Sequence, residues 1–175
     1  MATLPDHQIR HYAETANMIE PFRISQLNPA SYDVRLGPTL KTEAKNAYGS
    51  RWFPYHLQHS AYIMAPGEFL LGHTEEIIKV PADMDCIFML KSSLARDGMN
   101  HSLAGYIDPG FHGRITVELK NVSPIFSLKL EVGMLIGQVR FSRLESSCET
   151  PYGVNGHYQG DMTVESAKLN GCVYI

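Results

Sequence analysis

The sequence predicts a mainly β chain, a barrel or a sandwich, with one helix at its N-terminus. Three observations lead there. From Tyr62 onward, short stretches of strand-like residues follow one another, parted by turn residues at Pro66-Gly67, Pro81, Pro124 and Gly133. Many short strands at short spacing mean a closed or doubled sheet. A helical period of apolar residues stands at 5–17, ahead of that region. The composition, 44% hydrophobic and 19% charged in 175 residues, suits a globular chain able to fill a core without staples. One domain, 1–175, is expected: helix 5–17, a β core over about 31–145, and a C-terminal arm over about 146–175.

Each element has its own reason. Over 5–17, Ile9, Tyr12, Ala13 and Ala16 follow helical spacing, with Asp6 as the expected cap and Asn17 as the stop. Pro21 takes the chain out of the helix, because a residue before proline disfavours the α region. Over 31–36, Tyr32, Val34 and Leu36 alternate with Ser31, Asp33 and Arg35, so a strand is expected with Asp33 and Arg35 paired on a surface face. Residues 41–60 mix Gly49, Trp52 and Pro54 without a period and read as an irregular loop that packs its aromatics down. Strands are then expected at 69–72, 75–80, 85–90, 114–121, 127–130 and 135–141. The tail after Ser146 is rich in Gly, Asn and Ser, and reads as an arm that orders over something. No internal repeat is present.

Charge and cysteines narrow the function. A net charge of −3 argues against a broad nucleic-acid surface, but leaves room for a local cationic pocket. Cys86, Cys148 and Cys172 are odd in number and widely spaced, without a C-x-x-C pair. They read as reduced thiols of a cytoplasmic protein. The first residues lack a basic segment followed by an apolar run, so no signal peptide is expected. No apolar stretch approaches the ~20 residues of a membrane span.

Chemistry concentrates in 91–121, KSSLARDGMNHSLAGYIDPGFHGRITVELKN. Ser92, Ser93 and Arg96 bring donors and a cation together, on a short helix expected near 92–98. Asp108-Pro109-Gly110 reads as a tight turn, with proline second and glycine where φ turns positive. Ile115, Val117 and Leu119 alternate with Thr116, Glu118 and Lys120. Glu118 is thus an acid in mid-strand, opposite the aliphatic face.

These segments, in this order, resemble the dCTP deaminase family of the dUTPase-like superfamily. The matching residues are SSLAR at 92–96, AGYIDPGFHG at 104–113 and ITVEL at 115–119. Further matches are IEPF at 19–22, NPASYDVRLG at 28–37, VGMLIGQ at 132–138, PYG at 151–153 and YQG at 158–160. The resemblance spans roughly 6–161. It implies a dUTPase-like distorted β-barrel or jelly roll, and a homotrimer with active sites between subunits.

It also implies roles. Glu118 takes that of the family's proton-shuttling glutamate, and Ser92 and Arg96 those of its active-site serine and arginine. Ala104 offers a backbone carbonyl to the amine and water, Asp108 meets the sugar's 3′-hydroxyl, and Phe111 lies under the deoxyribose. Lys91, Ser93, His101, Thr116, Val117, Tyr152, His157 and Asp161 fall at further substrate-binding positions. No transition metal is implied, and Mg²⁺ comes bound to the nucleotide phosphates. His73-Thr74-Glu75 matches the first half of a zinc-deaminase signature, but no P-C-x-x-C follows, so both read as strand or turn residues.

The chain departs from the family at named positions. Lys91 replaces an arginine, Leu103 a threonine, His157 a lysine and Asp161 a glutamine, and the connection from Arg96 to His101 is one residue shorter. An aspartate beside phosphate is repulsive unless a cation intervenes. Four activities stay open: dCTP deaminase releasing dUTP, a bifunctional enzyme continuing to dUMP and diphosphate, a dUTPase, or a non-catalytic nucleotide-binding regulator. AGYIDPGF leans toward the bifunctional subgroup.

Overall fold

A computed structural model describes residues 2–43 and 51–168. In chain order they form β1 (Ala2–Thr3), α1 (Asp6–Ala16), β2 (Ile19–Glu20), β3 (Leu27–Asn28), β4 (Ser31–Arg35), β5 (Thr39–Glu43) and β6 (Trp52–His56). There follow β7 (Tyr62–Met64), β8 (Phe69–Lys79), β9 (Met84–Leu90), α2 (Ser92–Arg96), β10 (Met99–Asn100), β11 (Tyr106–Ile107) and β12 (His112–Asn121). The last are β13 (Leu128–Leu130), β14 (Leu135–Arg143) and a single turn of helix, α3 (Tyr152–Asn155).

The strands make two main sheets. One has the order β11-β9-β14-β4-β3, with β1 added to β14; the other has the order β10-β12-β8-β5-β6, with β2 added to β8. β13 pairs with β7 apart from both. Every pairing is antiparallel among the described residues. Both sheets and α1 send apolar side chains into one core, including Ile9, Tyr32, Leu70, Val117, Leu119, Val139 and Phe141.

α1 ends as expected, with Asn17 in the left-handed region at φ 51°. Its start differs. Pro5 holds the cap position without a side-chain bond, and Asp6 lies in the first turn, where an acid still suits the helix dipole.

Three other expectations are corrected. The stretch 41–60 is no irregular loop where it is described: β5 and β6 pair from Thr39–His56 to Glu43–Trp52. Cross-strand pairing made strands of residues that carry no apolar alternation. Next, 69–72 and 75–80 belong to one eleven-residue strand, β8. Its register against β12 jumps from His73–Thr116 to Ile77–Arg114, so three residues of β8 face one of β12. That irregularity breaks the alternation which suggested two strands. The Ile115 amide is met there by Thr74 Oγ1 at 3.0 Å.

Third, Asp33 and Arg35 form no surface pair, because β4 is buried along its length. Arg35 Nε donates to Glu76 Oε1 at 2.7 Å, its amide to Glu76 Oε2 at 2.8 Å, and its Nη1 lies 3.0 Å from Glu75. Asp33 instead accepts from Lys91 Nζ at 2.6 Å and Asn28 Nδ2 at 2.9 Å. Beneath β4 the His73 ring lies against Gly37, where a Cβ would come within 2.2 Å of it.

Candidate active site

Alternation along β12 builds the floor of the site. Ile115, Val117 and Leu119 are buried in the core. Arg114, Thr116 and Glu118 occupy the other face and line a hollow of about 370 Å³. That lies within the range of small-molecule sites, roughly 300–1,000 Å³. β8 lies beside Glu118 through Leu71. Phe69 and Trp52, with ring centroids 5.9 Å apart, extend the apolar wall.

One rim is the turn predicted at Asp108. The Phe111 amide donates to the Asp108 carbonyl at 3.2 Å, and Gly110 sits at φ 85°. A Cβ on Gly110 would meet the Pro151 side chain at 2.6 Å, so the position needs glycine twice over.

The tail packs on this turn and runs along the start of β12. The Tyr152 amide donates to the Pro109 carbonyl at 2.8 Å, and the Arg114 amide to the Asp161 carbonyl at 2.8 Å. The Glu165 amide donates to Thr116 Oγ1 at 3.1 Å. The described part of the tail, 147–168, therefore orders over the start of β12 and the mouth of the hollow.

Glu118 is set apart electrostatically. Burial raises its carboxyl above the usual carboxylate range, only partly offset by a backbone N–H. Its carboxylate has no side-chain hydrogen bond or ion pair among the described residues. Asp161 differs: both its oxygens lie 3.1 Å from Lys168 Nζ, which also donates to the His157 carbonyl at 2.9 Å. The cation that an acid at this position calls for is thus a lysine seven residues further on.

The hollow brings together Glu118, Ala104, Asp108, Phe111, Thr116, Tyr152 and Asp161. Val117 turns its side chain into the core. His157 is exposed and meets Lys168 through its backbone. His101 packs edge-on to Phe88 at 5.6 Å, and burial lowers its pKa. Lys91 caps α2 and reaches Asp33. Ser92, Ser93 and Arg96 are exposed, and Arg96 lines a different hollow with Met99 and Phe126.

Sequence reasoning passed over Arg114, Trp52, Phe69, Tyr158 and Glu165, which also line the hollow. Arg114 was within reach, since it shares period two with Thr116 and Glu118. Trp52 and Phe69 meet only through the sheet.

The zinc half-motif does not converge on a site. His73 is buried, with Nδ1 at 2.8 Å from the Thr74 carbonyl, while Glu75 serves Arg35. No cluster of three His, Cys, Asp or Glu side chains suited to a metal occurs among the described residues. Cys86 is a buried free thiol, Cys148 is free and partly buried, and Cys172 lies outside the described residues.

The two antiparallel sheets, with an unpartnered acid on the floor of a ligand-sized hollow, define a mainly β protein with a candidate small-molecule site. A family model described as dCTP deaminase-like matches residues 3–144, and the chain belongs to that family. It is similar to the "dCTP deaminase, dUMP-forming" of Pseudarthrobacter chlorophenolicus, 38% identical over 185 aligned residues covering 95% of this chain and 96% of that protein. The protein of the same name from Bifidobacterium animalis subsp. lactis is 40% identical over 172 residues, covering 90% and 89%. Among solved structures, the 2′-deoxycytidine 5′-triphosphate deaminase from Agrobacterium tumefaciens matches with a TM-score of 0.63 at 23% identity. That match covers 80% of this chain and 48% of the other, so this chain spans about half of that one, and the likeness speaks for the fold.

Proposed function

We propose that this chain hydrolyses dCTP at two bonds, releasing ammonia from the base and then diphosphate, to leave dUMP. The observation that carries the reading is Glu118: a carboxyl whose proton affinity burial has raised, without a competing partner, on the floor of a nucleotide-sized hollow. An acid whose proton affinity is raised is better able both to accept a proton and to return it.

The deamination is balanced by one water and one proton carrier, and the diphosphate step takes a second water. Glu118 takes a proton from water as its oxygen bonds to C4, and delivers a proton to N3. Glu118 next carries the proton of the new C4 hydroxyl to the amine, and the tetrahedral adduct collapses. C4 becomes a carbonyl and ammonia departs. Ala104 offers a backbone acceptor that suits cytosine's amino group and disfavours uracil's carbonyl. Phe111 packs under the sugar and excludes a 2′-hydroxyl. Asp108 holds the 3′-hydroxyl and aligns the second water, which attacks the α-phosphorus and expels diphosphate.

The product assignment draws support from the relatives at 38% and 40% identity, both named as dUMP-forming. Tyr106 before Ile107-Asp108 agrees with that subgroup, where single-step enzymes carry a basic residue. Release of dUTP is the competing outcome.

Ser92 and Arg96 act, in this reading, from a second copy of the chain. Their exposure, and the distinct hollow that Arg96 lines, support a homotrimer with shared sites. Mg²⁺ enters on the phosphates, because Lys168 already occupies both Asp161 oxygens. The cytoplasm is the compartment that such a substrate implies.

The test is incubation with dCTP, assaying ammonia and separating the nucleotides by chromatography. Ammonia with dUMP supports the proposal, and ammonia with dUTP limits it to deamination. Diphosphate from dUTP without ammonia means dUTPase, and no turnover means a binding protein. Light scattering reads the trimer.

A further inference from the structure

The hollow has two ends of different chemistry, both borne by one face of β12. At Glu118 its wall is apolar, with Leu71, Phe69 and Trp52. At Arg114 it is polar, with the Arg114 amide bonded to the carbonyl of Asp161. Four steps along the strand take Arg114 to Glu118, about 13 Å of extended chain. That length is comparable with the span from a pyrimidine's C4 to its 5′-phosphates.

Two cations line the hollow, Arg51 and Arg114. Arg51 is paired with Glu43. The Arg114 side chain has no hydrogen bond or ion pair among the described residues, and its Nε is sealed from solvent without an acceptor. A buried guanidinium donor left unpaired is costly, and a ligand oxygen removes that cost. Two other lysines near the mouth are engaged elsewhere: Lys168 holds Asp161, and Lys41 lies 3.9 Å from Glu165. Below the strand, burial lowers the pKa of His73, a backbone bond to Thr74 partly offsets it, and the charge of Arg114 adds a smaller lowering. That residue offers Arg114 no counter-charge.

We infer that Arg114 is the phosphate-binding group of this hollow, taking the nucleotide's 5′-phosphate oxygens on its guanidinium. The inference rests on the nucleotide reading above. It adds a specificity-determining residue: the guanidinium fork matches two phosphate oxygens at once, which an ammonium does not. It also accounts for an acidic residue at 161, since the phosphate cation is supplied from the strand and the tail acid is held by Lys168.

The test compares dCTP with deoxycytidine in the full chain. Arg114→Gln is expected to raise KM for dCTP roughly ten- to hundredfold, as the loss of one charged bidentate contact does. Read as ammonia release, kcat/KM is expected to fall at least about tenfold further for dCTP than for deoxycytidine. Arg114→Lys recovers part of the loss. Unchanged KM, or equal losses with both substrates, overturns the assignment.

A second measurement uses the unaltered protein and needs no turnover. Inorganic tripolyphosphate is expected to shield Arg114 from phenylglyoxal, read by peptide mass mapping. Modification of Arg114 at the same rate with and without tripolyphosphate overturns the inference, even if ammonia is released. Shielding without ammonia release upholds the phosphate site while removing the deaminase reading.

Discussion

Glu118→Gln is expected to have two opposite consequences, and both follow from where the carboxyl sits. Glutamine keeps the size and loses the proton. General acid–base catalysis by one side chain is worth roughly 10²–10⁴ in rate, or about 3–5 kcal/mol of barrier. The other acids lining the hollow are Asp108, Asp161 and Glu165. Of these Asp161 is held by Lys168 and Glu165 lies near Lys41, so neither is free to substitute. The loss should therefore lie toward the upper end of that range.

Stability should move the other way. Burial raises the folded-state pKa of Glu118 above its unfolded value, so between the two values the native state binds more protons than the unfolded chain. Stability then falls as pH rises through that window, and the deficit is complete above the folded pKa. Glutamine carries no such penalty. Glu118→Gln should match the wild type in melting temperature below the ordinary carboxylate range and exceed it at pH 8. Ammonia release, and melts at pH 4 and pH 8, read the two effects. A variant that keeps near-normal deamination, or that melts lower than wild type at pH 8, refutes the reasoning.

Other perturbations separate the supports of the site. The acid limb of the wild-type pH–rate profile should fall above the ordinary carboxylate range, because Glu118 must be ionised to take the first proton; a limb near pH 4 rejects it as the base. Glu76→Ala leaves Arg35 buried with Glu75 alone at 3.0 Å. The cost should be about 3 kcal/mol, a fall of roughly 6–12 °C in melting temperature; a shift of one or two degrees would mean that solvent reaches Arg35. Asp161→Gln should tighten dCTP binding in calorimetry, modestly because Lys168 already masks the charge, and weaker binding would place the tail acid away from the phosphates. Gly113→Ala puts a Cβ 2.8 Å from the Asp161 carbonyl, so limited proteolysis should cut the tail faster, whereas an unchanged rate means that the tail is held elsewhere.

The mid-strand acid was legible because alternation is local. Ile115, Val117 and Leu119 mark one face of β12, and the opposite face follows. The turn at Asp108 was equally legible, since proline and glycine prescribe it within four residues. The double-length β8 was not, because a register jump against β12 erases the period in its middle. The β5–β6 hairpin was hidden for a related reason: Lys41 and Thr42 gain their strand character from partners on β6 and β8.

By itself, the order of residues determined which side of β12 carries chemistry and where the chain turns. Both depend on neighbours a few positions away, whose geometry the backbone period sets. The three-dimensional structure decided the pairings between distant residues. Arg35 meets Glu76, Trp52 meets Phe69, and Asp161 meets Lys168 above a strand whose Arg114 is left unpaired. Such partners are chosen by sheet order and burial, and charge alone does not say which of several acids a cation will reach.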